Sequence, residues 1–144
     1  MDTIVVREPV EVLRIRADME GKGPKAAFDA LESKLPALKG RKFLGTIRMN
    51  DDGLEYFACV ERLPTEDPVT LGLESCVIPG GRYIRRRIWD WSSVVAAGKM
   101  QAISQDFAKD YELDPTRPSI EYYRSMKELH ILLPLAGNVE SLST

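Results

Sequence analysis

A chain of 144 residues with 44% hydrophobic and 29% charged side chains can bury a single core, which excludes a disordered polymer. Its 20 basic and 22 acidic residues leave a formal net charge of -2, with no general attraction to phosphate backbones, and no apolar run nears the roughly 20 residues of a bilayer helix. Neither a direct nucleic-acid partner nor a membrane is expected.

The opening "MDTIVVREPVEV" has no basic start, long apolar centre or small-residue cleavage site, so the cytoplasm is the expected compartment. Residues 4–16, "IVVREPVEVLRIR", alternate well enough to predict a strand interrupted near Pro9. Pro24 suits a first helical turn, and Phe28, Leu31 and Leu35 form the apolar stripe of a helix ending around Pro36. "RKFLGTIRM" and "LEYFACVERL" predict a hairpin closed by "NDDG". The polar "PTEDPVT" then marks a boundary between two halves.

Beyond it, "LGLESCVIPGGRYIRRRIW" reads as strand on both sides of Pro79-Gly80-Gly81, which implies a bulge or sharp bend. Asp90 or Ser92 is the expected cap of a second helix, with Ala96, Met100, Ile103, Phe107 and Tyr111 facing inward. "LDPTRP" ends that helix. "SIEYYRSM" and "ELHILLPL" predict a second hairpin around Lys127, and the tail 136–144 is polar enough to fray. Cys59 and Cys76, in strand-like apolar contexts, are read as core thiols.

Strand, helix, strand, strand thus occurs twice, in half-repeats 3–64 and 70–135 of one domain spanning 1–144, offset by 70 to 76 residues. The expected fold is α+β: duplicated halves forming a curved, mainly antiparallel sheet with two main helices and a ligand cleft between the halves. Glu121 aligns with Gly45, so a carboxylate breaks the symmetry of the repeat.

Alternation puts Glu121 and Tyr123 on one strand face and Ile120, Tyr122 and Arg124 on the other. Taken alone, Glu121 reads as an outward glutamate on a solvated face, since Glu is rarely buried without a partner; a dry, unpaired charge costs several kcal/mol and calls for a proton or a cation. Tyr83 and Trp89 share a strand face, Trp91 opens the second helix, and Tyr56 and Tyr123 lie on the hairpins. Singly these are ordinary core residues. Grouped around a carboxylate they supply stacking and cation–π attraction of ~0.5–2 kcal/mol per contact. Alternation splits Arg85, Arg86 and Arg87 between two faces. His130, the single histidine, is read as a half-buried strand residue with no triad partner, no metal spacing is present, and no glycine-rich loop cradles a nucleotide, so neither metal nor cofactor is expected.

The run "VIPGGRY", the following helix, and "RPSIEYYRS" before "ELHILLPL" resemble the GyrI-like small-molecule-binding family, whose relatives include effector-binding domains of AraC-type and MerR-type multidrug regulators. The resemblance spans about Thr3 to Leu135. It implies that Glu121 lies in an aromatic pocket for cationic drugs and that Tyr83 lines the same pocket. Unlike the regulators, this sequence has no helix-turn-helix before the effector-binding part, so a stand-alone binder of hydrophobic, cationic or weakly basic compounds is the leading expectation, with Glu121 for charge and Tyr83, Trp89, Trp91, Tyr123 and Tyr56 around it. Some stand-alone relatives share an Asp-Trp pair, here Asp90 and Trp91, and hydrolyse cyclopropane-bearing alkylating toxins; that alternative assigns Glu121 as base and Tyr123 as hydrogen-bond donor. A gyrase-inhibitor-like protein partner is the third reading.

Overall fold

The computed structural model describes residues 2–96 and 100–136. Its strands form one eight-stranded sheet in which every neighbouring pair is antiparallel. The predicted first strand is two strands, β1 (Asp2–Arg7) and β2 (Val10–Arg16), separated at Pro9, which has no N–H to give a ladder. The hairpin of β3 (Phe43–Asn50) and β4 (Gly53–Glu61) closes as expected, with Gly53 at φ +117° and Asn50 Oδ1 accepting the Asp52 N–H. β5 (Glu74–Ile78) and β6 (Gly81–Trp89) are parted at Pro79-Gly80, and β7 (Ser119–Tyr123) and β8 (Glu128–Pro134) form the second hairpin.

The strand order is β1-β6-β8-β7-β3-β4-β2-β5. Each half therefore sends one edge strand to the other: β1 pairs with β6, and β5 pairs with β2. The two crossings touch, because a Cβ on Gly80 would lie 2.6 Å from the Arg7 carbonyl oxygen and 2.8 Å from Pro9 Cδ. Arg117 ties down the second crossing by donating to the carbonyls of Gly80, Arg82 and Leu135. The repeat thus places β3 beside β7 at the centre, the junction of the halves.

One face carries the helices. α1 (Gly23–Ser33) has Pro24 in its first turn as predicted and buries Ala27 and Leu31 against Leu13, Ala58 and Val60. It ends three residues before Pro36, where tighter bonds from Lys34 and Leu35 N–H replace the helical ladder. The polar connection holds a single turn, α2 (Pro68–Leu71), capped by Asp67, whose Oδ1 accepts the Val69 N–H at 3.1 Å. The second long helix is described as α3 (Trp91–Ala96) and α4 (Met100–Ala108). Ile103, Phe107 and Tyr111 pack with Ile84, Ile88 and Ile131 as the stripe predicts; the side chains of Ala96 and Met100 and the tail from 137 onward lie outside the described residues. Full burial of each large apolar side chain stabilises by roughly 1.5–3 kcal/mol.

Among the described residues the other face has no helix, yet Val12, Leu44, Tyr83, Ile120 and Leu132 on it are buried. The sheet curls into a half-barrel, so the edges close over this face, and Val5 and Val10 pack against its core. Arginine alternation holds: Arg86 lies on the helix face, paired with Asp2 at 2.8 Å and stacked 4.5 Å over Phe107, while Arg85 and Arg87 point the other way. His130 is more buried than expected and sits 2.5 Å from Glu128 Oε2. No helix among the described residues is long and apolar enough to cross a membrane.

The two cysteines differ. Cys59 is fully buried, and desolvation pushes its thiol up to about 12. Cys76 packs against the core of the helix-free face as expected but is only half-buried, because β5 is an edge strand. Accordingly a disulfide-exchange reagent at pH 8 should label one thiol, Cys76, in the folded protein and both in urea. Equal rates at the two sites would contradict the packing.

Candidate functional site

The candidate site lies on the helix face, at the junction of the halves. In the β3–β7 ladder Gly45 stands directly opposite Glu121, so both face the same way. Two strand residues beyond Glu121, Tyr123 shares that face. Tyr56 comes from β4, where it pairs with Ile47, and its ring reaches over Gly45 towards the carboxylate. A Cβ at position 45 would lie 2.0 Å from Tyr56 Oη. The glycine that occupies the matching position of the first half therefore makes room for the phenol that binds the glutamate.

Two phenols converge on one carboxylate oxygen. Tyr56 Oη donates to Glu121 Oε1 at 2.7 Å, Tyr123 Oη donates to the same atom at 3.0 Å, and the two hydroxyl oxygens are 3.3 Å apart. Burial, and next the negative charge of Glu121, push both phenols above the ordinary tyrosine range, so they remain protonated donors at neutral pH. Among the described residues no lysine or arginine forms a salt bridge with Glu121, and its Oε2 accepts no hydrogen bond.

Rings from both helices close the surroundings. Phe28 of α1 meets Tyr123 edge-on at 5.4 Å between centroids and Tyr56 at 6.3 Å. Trp91, the first residue of α3, meets Tyr123 at 5.1 Å. Its position is set locally: Asp90 takes φ 52°, a left-handed turn that aspartate tolerates, and its N–H donates to the Lys127 carbonyl at 2.6 Å. Trp91 Nε1 in turn donates to the Ser125 carbonyl at 3.0 Å.

Glu121, Tyr56, Tyr123 and Trp91 are therefore brought together. Tyr83 and Trp89 are not. Tyr83 lies among the core residues of the helix-free face, its hydroxyl donating to the Pro79 carbonyl at 2.7 Å and its ring covered by Arg117; it locks the strand crossing. Trp89 shares that face, 61% exposed, with Arg87 stacked on it. The register explains both: Glu121 pairs with Ile131 and Ile131 with Arg86, so the helix face of β6 carries even-numbered residues. Phe28 is the participant that the sequence reading left out, having counted it as core stripe. One signal was available, since it opens the stripe and so lies at its margin.

No family model matches the chain, and no curated protein matches it by sequence. Solved structures do. An integron cassette protein from the mobile metagenome of Vibrio cholerae is 17% identical at a TM-score of 0.66, over 92% of this chain and 94% of its own. SAV2435, solved bound to tetraphenylphosphonium, is 11% identical at a TM-score of 0.66, over 95% and 94%. A hydrolase from Listeria innocua is 11% identical at a TM-score of 0.60, over 94% and 91%. At these identities the likeness concerns the backbone. By these superpositions the chain shares its α+β fold, a curled eight-stranded antiparallel sheet with duplicated halves and two main helices, with those solved structures.

Proposed function

We propose that this protein binds a hydrophobic organic cation, or a weak base in its protonated form, between its two helices, against Glu121. The observation that carries the reading is a carboxylate at the centre of the sheet with two phenol donors and no cationic side chain paired to it among the described residues. The phenols orient Oε1 and, held protonated, add no second negative charge. A cation then meets Oε2 and the rings of Phe28 and Trp91, which recognise flat or greasy bodies without shape-specific hydrogen bonds. SAV2435, which shares the fold, binds tetraphenylphosphonium, and that ion is the natural probe.

In a Trp89→Phe background Trp91 is the single tryptophan, and titration with tetraphenylphosphonium should change its fluorescence. Glu121→Gln should weaken binding at least tenfold, about 1.4 kcal/mol. Equal affinity in the two proteins would end the electrostatic reading.

A second reading is favoured by the unengaged Oε2 of Glu121. A carboxylate oriented by two phenols has the parts for water activation and for hydrogen-bond donation to a leaving group, as in hydrolysis of a cyclopropane-bearing electrophile. Product formed over many turnovers by wild type and lost in Glu121→Gln would select it. Stoichiometric binding without product would reject it.

A further inference from the structure

The helix-free face holds a recess of opposite character. On the half built from β6, β7 and β8, a cavity of about 380 Å³ opens over Tyr122, His130 and Leu132, all buried, and is rimmed by Arg7, Arg85, Arg87 and Arg124. That volume is within the roughly 300–1,000 Å³ of small-molecule sites. Tyr122, His130 and Arg87 form one cross-strand row, and Leu132 pairs with Arg85 in the next, so the basic groups and the apolar floor are fixed by strand register.

The charges do not balance. Arg87 is compensated by Glu128 at 3.2 Å, and Glu128 also meets His130. Arg7, Arg85 and Arg124 form no salt bridge among the described residues. The guanidinium groups of Arg7 and Arg124 both lie over the Tyr122 ring, at 5.2 and 5.5 Å. Two like charges are thus gathered on one ring, whose hydroxyl donates to Glu61 at its far end, and the acid in the recess lining, Glu128, is already engaged by Arg87 and His130. The corresponding recess on the other half, about 260 Å³, serves as an internal control: it is lined by Arg14, Arg48 and Glu55, and Arg14 is already paired with Glu74. The recess over Tyr122 is lined by four arginines against one glutamate and its twin by two arginines against one, so the larger positive surplus lies over Tyr122.

We infer that the recess over Tyr122 is a second binding site, for an organic anion consisting of a carboxylate or phosphate on a flat apolar body. The anionic group takes the forked donors of Arg7 and Arg124, with Arg85 beside them, and the apolar body lies on Leu132 and the Tyr122 ring. This site is separated from Glu121 by the thickness of the sheet, and its ligand has the opposite charge.

The test uses 1-naphthyl phosphate and 1-naphthoate as probes, with neutral 1-naphthylmethanol as the control, by calorimetry at 150 mM salt. Both anions should bind at least tenfold more tightly than the alcohol. Arg7→Gln/Arg124→Gln should remove that preference, while Arg48→Gln in the twin recess and Glu121→Gln on the opposite face should leave it unchanged. Thermal unfolding of the double variant checks that the fold persists; should it fail to fold, Arg124→Gln alone, on an exposed side chain, must weaken the anions at least threefold. Equal binding of alcohol and anions, full retention in these variants, or tighter binding of a twelve-residue oligothymidylate than of 1-naphthyl phosphate would each overturn the inference, the last in favour of an extended polyanion surface.

Discussion

Glu66→Ala should lower the free energy of unfolding by about 3–5 kcal/mol, the cost of leaving one buried ion without its partner. Glu66 sits in the connection between the halves with Arg41, their side chains 8% and 6% exposed. The guanidinium donates to both carboxylate oxygens, at 2.9 and 2.7 Å, and to the Glu61 carbonyl at 3.1 Å. The Leu63 N–H donates to the same carboxylate at 2.9 Å. Burial alone would raise this carboxyl, but the Leu63 N–H and Arg41 outweigh it and hold it below its ordinary value of 4.5. A folded value below the unfolded one gives stability that is present above pH 4.5 and lost as the pH falls through the folded value. Urea unfolding should therefore show wild type and Glu66→Ala converging in acid. Replacing both partners, Arg41→Met with Glu66→Leu, should recover most of the loss, because no uncompensated ion remains. A double variant as unstable as Glu66→Ala would refute the account.

Gly45→Ala should destabilise the protein and weaken cation binding together. In an ordinary strand this substitution is neutral or stabilising by about 0.5–1 kcal/mol, since glycine loses more freedom on folding. Here the sign is reversed by contact: the added Cβ meets Tyr56 Oη at 2.0 Å and Cζ at 2.5 Å, so the buried phenol must leave Glu121. Overpacking of this kind costs about 1–3 kcal/mol. Tyr56→Phe separates the two parts of the effect, since it removes the hydrogen bond, worth about 1.5–3 kcal/mol to a charged acceptor, without adding bulk. Thermal unfolding and tetraphenylphosphonium titration of both variants measure this. A Gly45→Ala protein as stable as wild type, with unchanged affinity, would show that the ring does not need the space.

Much of the fold was legible because short-range chemistry dictates it. "NDDG" supplies the residues of a tight turn, and the spacings Phe28-Leu31 and Ile103-Phe107 mark helix faces turned to the sheet, with Leu35 and Tyr111 packing just past the helix ends. The doubling of strand, helix, strand, strand carried the two-half architecture. What stayed hidden is what depends on partners far apart in the chain. Pro9 announced a break but not that β1 and β2 would join opposite halves. The grouping of Glu121 with Tyr123 followed from alternation within one strand, whereas Tyr83 and Trp89 needed the pairings of β6 with β8 and β8 with β7 before their face was defined. Tyr56 belonged to the expected set, yet the reason it can reach Glu121, an empty Cβ position two strand residues from its cross-strand neighbour, is a matter of space and not of pattern.

Because each half lends a strand to the other, neither segment holds a complete set of neighbours for its own backbone. Polypeptides cut between Thr65 and Glu66 would each expose an unpaired ladder, β2 without β5 in one and β6 without β1 in the other. Such pieces should be poorly ordered singly and should reassemble on mixing, each supplying the missing flank, so that the intact chain melts in one step and the halves have no separate melting point.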